Sequence, residues 1–379
     1  MAPAYDVIVA GLGAMGSATA YHLSLAGLRV LGLDRFHPPH DRGSSHGRTR
    51  IIREAYFEHP LYVPLVQRAY DLWGKLEAAA GRRLFLQTGG LMIGPPDGVI
   101  VRGALLSASE HRLRHQLLPA SELQARFPAL QPDPAMVGVW EPRAGILFPE
   151  LAIQSHLELA AKQGATLRFD ESVTKWEPLG GGVRVTTPQG AYEARRLLLS
   201  SGAWLAGLVP ELNLRLAVER QAQFWFDPGA GDDRFDPGLC PFHIWEYAPP
   251  RFFYGFPNLG EGVKVAFHHE GEPSDPDRVR RDVSSQEIET MRALLRRFMP
   301  QADGHLKSTA VCLYTNTPDE HFLLDYHPAH RQVLIASPCS GHGFKFSPVI
   351  GELAAGMLQD QSPHFDLGLF QIGRVATGS

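Results

Sequence analysis

The start of the chain alternates short apolar runs with a glycine-rich turn and one stretch of helical periodicity. Residues 6–10 form the first apolar run and residues 28–34 the second. Between them, apolar residues recur every three or four positions over residues 14–26, just before Gly27, a residue type that commonly ends helices. The pattern predicts a strand, a tight turn over residues 11–16, a helix and a second strand, which is the opening of a βαβ unit.

The rest of the chain changes between helix-containing and strand-rich stretches. A turn-rich loop over residues 36–50 precedes an amphipathic helix near residues 60–80, and a further helix and strand are predicted over residues 151–169. Residues 83–150 are predicted to hold short strands and one helix, and residues 215–325 to be rich in strands. The remaining predictions are strands at 183–194, 197–204 and 333–336, a glycine loop at 340–347 and a helix at about 348–358.

Three glycines at the first turn carry the first chemical signal. Gly11, Gly13 and Gly16 have the spacing GxGxxG between a predicted strand and a predicted helix. This arrangement lets the backbone approach a pyrophosphate, which the helix N-terminus then attracts. Asp34 ends the second strand, where an acid can accept the ribose hydroxyls and disfavours NADP. The motif predicts a dinucleotide site but does not distinguish FAD from NAD.

Composition narrows the classes of function. The formal net charge of −4 offers no strong field for nucleic acid, and no run of about 18 apolar residues is present to span a membrane. The three cysteines, Cys240, Cys312 and Cys339, have neither metal-ligand nor redox-motif spacing. We therefore expect no metal site, no nucleic-acid or membrane partner, and a reducing cytoplasm.

Three longer segments indicate a family. They are GSSHGRTRIIR at 43–53, AVCLYTNTPDEH at 310–321 and SGHGFKFS at 340–347. Together with the glycine turn, the chain resembles the monomeric sarcosine oxidase and N-methyltryptophan oxidase family along essentially its whole length. The resemblance implies an α/β fold with a Rossmann-like FAD-binding domain interleaved with a sheet-rich, α+β substrate domain. The expected boundaries are 1–82, 150–215 and 326–379 for the FAD-binding domain and 83–149 and 216–325 for the substrate domain.

The resemblance implies a covalently bound FAD. In the family the flavin is attached through a cysteine sulfur at its 8-methyl carbon, and Cys312 occupies the matching position. A thiolate is a strong nucleophile toward an electron-poor ring. Cys240 and Cys339 are expected to be small buried side chains. The predicted cofactor-binding residues are Gly11, Gly13, Met15, Gly16, Asp34, Ser44, His46, Arg50, Cys312, Gly341, Gly343, Phe344 and Lys345.

The same resemblance implies a site for a substrate carboxylate. Arg53 and Lys345 match the residues that bind the carboxylate of a small N-methyl amino acid, for which a guanidinium fork is well suited. Lys264 matches a lysine near the flavin that promotes reaction with oxygen, because a cation favours a developing anion. The predicted catalytic residues are Lys264, Arg53, Lys345, His268, Tyr254, Tyr314 and Arg50.

These observations predict an oxidase of a small secondary amino acid such as sarcosine. The products would be formaldehyde, the primary amino acid and hydrogen peroxide, and the enzyme would act as a monomer with oxygen as its only other partner. Residues 226–251 depart from the family pattern, so a bulkier or cyclic substrate (N-methyltryptophan, pipecolate or proline) stays open. A flavin dehydrogenase with another electron acceptor, an NAD-dependent dehydrogenase and a non-enzymatic binding module are the alternatives from other classes.

Overall fold

The fold is described from a computed structural model that covers residues 4–229, 231–337 and 340–375. Cys339 lies outside these ranges. Within them the α-helices are α1 (Ala14–Leu25), α2 (Tyr62–Ala80), α3 (Val99–Glu110), α4 (Ala120–Arg126), α5 (Pro149–Lys162), α6 (Leu205–Leu208), α7 (Ser285–Phe298) and α8 (Ser347–Met357). The first strands are β1 (Tyr5–Ala10), β2 (Val30–Leu33), β3 (Arg50–Ile52), β4 (Phe85–Gln87), β5 (Gly90–Gly94), β6 (Gln116–Pro119), β7 (Val137–Glu141), β8 (Gly145–Leu147), β9 (Thr166–Arg168) and β10 (Lys175–Leu179). The later strands are β11 (Gly182–Thr187), β12 (Gly190–Leu199), β13 (Ala217–Asp227), β14 (Phe242–Ala248), β15 (Arg251–Phe256), β16 (Val263–His268), β17 (Glu272–Pro273), β18 (His305–Asn316), β19 (Leu323–His327) and β20 (His330–Ser337).

A mixed sheet carries the predicted βαβ opening. Its strand order is β10-β11-β12-β1-β2-β9, and β20 pairs with both β12 and β19. The pairs β1–β2, β1–β12, β2–β9 and β12–β20 are parallel. The central strands are nearly continuous apolar runs because both faces are covered, with α1, α5 and α8 packed together on one side. The α/β fold class is confirmed, and β1, α1 and β2 form where the periodicity predicts them.

A second, mainly antiparallel sheet forms the other layer. Its order is β17-β13-β16-β15-β14-β5-β7-β6, with β18 along the other edge of β13. Helix α7 covers one face through Met291, Leu295 and Phe298, which pack against aromatic residues of β13, β14 and β15. Ser284 and Glu287 form a capping box that fixes the start of α7. The opposite face of this sheet is therefore left to line the interior between the layers.

The two sheets draw on alternating parts of the chain. The first uses residues 5–33, 166–199 and 323–337, whereas the second uses residues 90–141 and 217–316. The residue boundaries of the two domains stay a prediction. Residues 83–150 hold the two helices α3 and α4 rather than one, because α4 spans only seven residues and is too short to show a clear period. Among the described residues, no helix is both long and apolar enough to cross a bilayer.

Candidate active site

A cavity of about 580 Å³ extends from the glycine turn to the second sheet. At one end it is lined by Gly11, Gly13 and Asp34, and at the other by Tyr254 and Lys345. Its walls thus come from both layers. Most of the predicted cofactor and substrate residues line it or lie directly behind a lining side chain.

The glycine turn is shaped for close approach of a ligand. Gly11 has φ +95°, and a Cβ there would lie 2.6 Å from the carbonyl oxygen of Ser200. A Cβ on Gly16 would lie 1.7 Å from the carbonyl of Gly11, so α1 packs on the turn only without a side chain. Gly13 faces open space in the cavity, and as the N-cap of α1 it makes no side-chain cap hydrogen bond. The first N–H groups of α1 are therefore available to a phosphate.

Asp34 closes the same end of the cavity. Its carboxylate accepts hydrogen bonds from the backbone N–H of Leu12 (2.6 Å) and of Phe36 (2.9 Å). Burial raises the pKa of Asp34 to about 6, although both backbone donors oppose the shift. A buried acid tied to the turn is suited to accept ribose hydroxyls. Together with Met15, which also lines this end, these residues fit the adenosine and pyrophosphate half of FAD.

The thiol of Cys312 lies just outside the cavity wall, against two lining residues. Its Sγ is 3.4 Å from Nη2 of Arg50 and 3.2 Å from the carbonyl oxygen of Ser44, to which Arg50 also donates at 2.5 Å. Burial alone would raise the pKa of the thiol, but Arg50 and His46 lower it to about 7. Cys312 is thus poised to form a thiolate near neutral pH. The other described free cysteine, Cys240, is buried without such cations, and burial raises its pKa to about 12.

Lys264 is buried beneath the loop that leads into Arg50. Its Nζ donates to the carbonyl of Gly47 (2.7 Å) and to the hydroxyl of Thr49 (3.1 Å), and the rings of Phe256 and Trp225 lie beside it. Burial, and next the charge of Arg50, hold the pKa of Lys264 well below its usual value. The structure therefore brings a second basic group close to Arg50.

One face of the second sheet supplies neutral polar groups. Tyr254, Ala266 and Gln223 lie side by side on β15, β16 and β13, which turns Tyr254 and Gln223 toward the cavity. His268 Nδ1 lies 3.1 Å from the hydroxyl of Tyr314. Burial lowers the pKa of His268 well below its usual value and raises that of Tyr254 to about 12. These side chains are uncharged at neutral pH, which suits a wall that receives an uncharged amine.

Arg53 is held by its own segment. Its Nη2 donates to both carboxylate oxygens of Glu58 (2.7 and 2.8 Å), its Nη1 donates to the carbonyl of Ala55, and the rings of Tyr56 and Phe57 sandwich the guanidinium at 4.3 Å each. Within the described residues, the buried Nε of Arg53 has no partner. The guanidinium of Arg53, which the resemblance assigns to a substrate carboxylate, is thus hydrogen-bonded to Glu58. Neither Glu58 nor the two rings were singled out from the sequence.

A directional chain of hydrogen bonds leads away from Lys345. Burial lowers the pKa of His342 to about 3, so its neutral ring donates from Nε2 to the carbonyl of Glu320 (2.9 Å). The hydroxyl of Tyr56 then donates to Nδ1 of His342 (2.5 Å), and Lys345 donates to that hydroxyl (3.4 Å) and to the carbonyl of His342 (2.7 Å). Burial, and next the charge of Arg53, lower the pKa of Lys345 to about 7. Among the described residues the ammonium of Lys345 thus has two acceptors, and its third N–H has none.

The loop before α8 completes the wall beside Lys345. Gly341 has φ +75°, and a Cβ there would lie 2.4 Å from the ring of Tyr314. Gly343 and Phe344 follow it along the cavity, and Trp73 donates from Nε1 to the carbonyl of Lys345. The loop thus approaches the second sheet closely only because it carries a glycine at 341.

A glycine turn at a helix N-terminus, an acid directly after the next strand and a second sheet over the same cavity define a dinucleotide-binding protein of α/β architecture. Comparison with known proteins makes the assignment specific. The sequence signature of the family described as FAD dependent oxidoreductase matches residues 6–357, and the chain belongs to that family.

Two curated relatives and one solved structure illustrate the similarity. The chain is 44% identical to a monomeric sarcosine oxidase of Streptomyces avermitilis over 99% of both proteins. It is 36% identical to an N-methyl-L-tryptophan oxidase of Salmonella arizonae over 98% of this chain and 99% of that one. NikD, described as an unusual amino acid oxidase essential for nikkomycin biosynthesis, matches at a TM-score of 0.85 and 26% identity, with 97% of each chain covered. The resemblance inferred from the sequence motifs is therefore confirmed.

Proposed function

We propose that this FAD-dependent oxidoreductase is an oxidase of a small secondary amino acid such as sarcosine, releasing formaldehyde, the primary amino acid and hydrogen peroxide. The observation that carries the proposal is the pair of buried cations, Arg53 and Lys345, at the end of the cavity opposite the glycine turn. Buried cations suit a carboxylate, and the neutral face of the second sheet suits an uncharged amine. The identity to sarcosine oxidases supports the same substrate class.

We assign each part of the substrate to particular side chains of the cavity. Among the described residues, the third N–H of the Lys345 ammonium and the Nε of Arg53 have no acceptor, and we assign these two donors to the substrate carboxylate. Their positive charge and the partial desolvation both lower the pKa of the bound amine, which must be neutral to be oxidised. Tyr254, His268 and Tyr314 carry no charge at neutral pH and orient the amine from the other wall. The flavin, when bound, supplies the two-electron acceptor.

For the reaction with dioxygen, we assign Lys264 and Arg50 to the stabilisation of the negative charge that develops on the oxygen. Both are basic groups next to the loop 47–49, and Arg50 lines the cavity. A preorganised cation stabilises charge as it develops on dioxygen. We also propose a monomer, in line with the name of the monomeric sarcosine oxidase relatives, in a reducing cytoplasm, which agrees with the two described cysteines being free thiols.

The substrate assignment is tested by oxygen consumption with sarcosine, N-methyl-L-tryptophan, pipecolate and proline. We expect sarcosine to give the highest kcat/KM, with one formaldehyde and one peroxide formed per oxygen consumed. Lys345→Met should keep the bound flavin but raise KM. A higher kcat/KM for N-methyl-L-tryptophan, pipecolate or proline would identify a bulkier or cyclic secondary amino acid as the substrate instead. Flavin reduction by sarcosine without oxygen uptake would instead identify a dehydrogenase.

We further propose that Cys312 holds the flavin covalently. The low pKa of its thiol and its contact with Arg50, a residue of the cavity wall, support this link. Acid-precipitated protein should keep its yellow colour, and Cys312→Ser should lose it to the supernatant. Cys240→Ser is the matched control, because Cys240 is equally buried but lies in the core beneath α7. Colour that stays in the Cys312→Ser pellet would refute the assignment.

A further inference from the structure

Arg281 ties together two segments that meet at Cys312. It lies on the stretch before α7, and its guanidinium donates three hydrogen bonds to backbone carbonyl oxygens. Nη1 donates to Asp41 (2.9 Å) and to Val311 (2.8 Å), and Nη2 donates to Arg42 (2.7 Å). Two of these acceptors belong to the loop that follows β2, and the third immediately precedes Cys312 in β18. One side chain therefore bridges the loop and the strand.

The bridged loop carries the groups that contact the thiol. The N–H of Leu313 donates to the carbonyl of Gly43 (3.3 Å), which continues the alignment of the loop with β18. The next carbonyl, that of Ser44, accepts from the Cys312 thiol and from Arg50. Residues 36–49 form neither helix nor strand, so the position of this loop depends on such individual contacts. A shift of the loop would move the Ser44 carbonyl, and with it Arg50, relative to the sulfur.

We propose that Arg281 is a positioning residue for the attachment of the flavin to Cys312. The inference rests on the covalent link proposed above. Attachment forms a carbon–sulfur bond and breaks one C–H bond of the flavin 8-methyl group. The thiol proton and the methyl proton leave, and two electrons pass to the flavin ring and from there to dioxygen, which becomes hydrogen peroxide. Arg281 takes no part in these bonds; it fixes the loop that holds Arg50 against the sulfur.

The size of the effect follows from the geometry that attachment requires. Reactions between two groups held in place are sensitive to displacements of about 1 Å, which cost on the order of 100-fold in rate. Arg281→Gln keeps a donor amide but cannot reach three carbonyl groups, so we expect attachment to slow by roughly 10- to 100-fold. Arg281→Lys keeps the charge and part of the bonding, and should attach flavin at an intermediate rate.

The experiment measures total and covalent flavin separately in the full-length protein. Total FAD is read from the visible absorbance of the folded protein, and covalent FAD from the colour retained after acid precipitation, at fresh lysis and after timed incubation in air. The matched control is Arg278→Gln, because Arg278 is exposed and, within the described residues, makes no hydrogen bond to the loop or to β18. Thermal unfolding of each variant is followed in parallel.

We expect Arg281→Gln to bind FAD but release most of it into acid at early times, with slow conversion afterwards and partial rescue by Arg281→Lys. Arg278→Gln should match the unsubstituted protein. An unchanged attachment rate in Arg281→Gln would overturn the inference, as would a loss of total FAD with the covalent fraction unchanged, which indicates a general structural role. Release of all flavin from the unsubstituted protein would overturn both the covalent link and the inference. Failure of the covalent link can be distinguished from failure of the Arg281 inference, because the first is seen in the unsubstituted protein.

Discussion

Glu58 competes with a substrate for Arg53, and its replacement gives a prediction that can be worked from the contacts. The two side chains are 13% and 2% exposed and share two hydrogen bonds. Glu58→Gln leaves the guanidinium unpaired, which costs about 3–5 kcal/mol of folding stability. Nη2 of Arg53, which Glu58 occupies in the unsubstituted protein, then becomes a second donor to a carboxylate ligand beside Nε. A charge-assisted hydrogen bond contributes about 1.5–3 kcal/mol, so we expect roughly tenfold to a hundredfold tighter binding.

The assay is competitive inhibition by acetate, the smallest carboxylate, at pH 6. At that pH, below the pKa of about 7 of Lys345, the ammonium is the main form in the unsubstituted protein; removing the negative charge of Glu58 lowers that pKa further and offsets part of the gain. Thermal unfolding should show a lowered midpoint that recovers with saturating acetate, because the ligand binds the folded state. Glu54→Gln is the control, since Glu54 pairs with Arg143 at 2.7 Å outside the cavity. An inhibition constant that is unchanged or weaker in a folded Glu58→Gln variant would refute the competition.

Three further predictions address the two ends of the cavity. Because the pKa of Lys345 is lowered to about 7, its ammonium is lost as the pH rises through that value, and KM should increase between pH 6 and pH 8. If the KM of a Lys345→Met variant kept the same pH dependence, Lys345 would be excluded as its source. Tyr56→Phe removes an acceptor from Lys345, and steady-state kinetics should show a KM a few-fold higher with the flavin absorption unchanged. An unaltered KM would contradict a role of this hydrogen bond in positioning Lys345. Gly11→Ala forces a Cβ to 2.6 Å from a carbonyl oxygen at φ +95°, so the purified variant should hold far less FAD per mole, and full flavin content would disprove the tight turn.

Local patterns predicted the fold around the glycine turn well. The strands and helix around the glycine turn are encoded by short-range periodicity, and Gly11, Gly16 and Asp34 serve steric and hydrogen-bonding needs that the motif itself specifies. Most residues predicted to surround the flavin line one cavity or lie next to it, which the resemblance implied and local patterns alone did not. Their individual roles stay predictions.

Non-local contacts could not be predicted in the same way. The parallel pairing of β5 with β14 joins residues about 150 positions apart, which no period in the sequence reveals. Arg281 contacts a loop 240 residues earlier in the chain. Glu58 is only five residues from Arg53, yet its role depends on the bend that places the rings of Tyr56 and Phe57 on either side of the guanidinium.

The central claim is tested most directly by an anaerobic titration of the purified protein with sarcosine while the visible absorption of the flavin is followed. The account predicts that the absorption bleaches with substrate and returns on admission of air, with formaldehyde and hydrogen peroxide released in equal amounts. A flavin absorption that no secondary amino acid changes, in protein that retains its FAD, would contradict it.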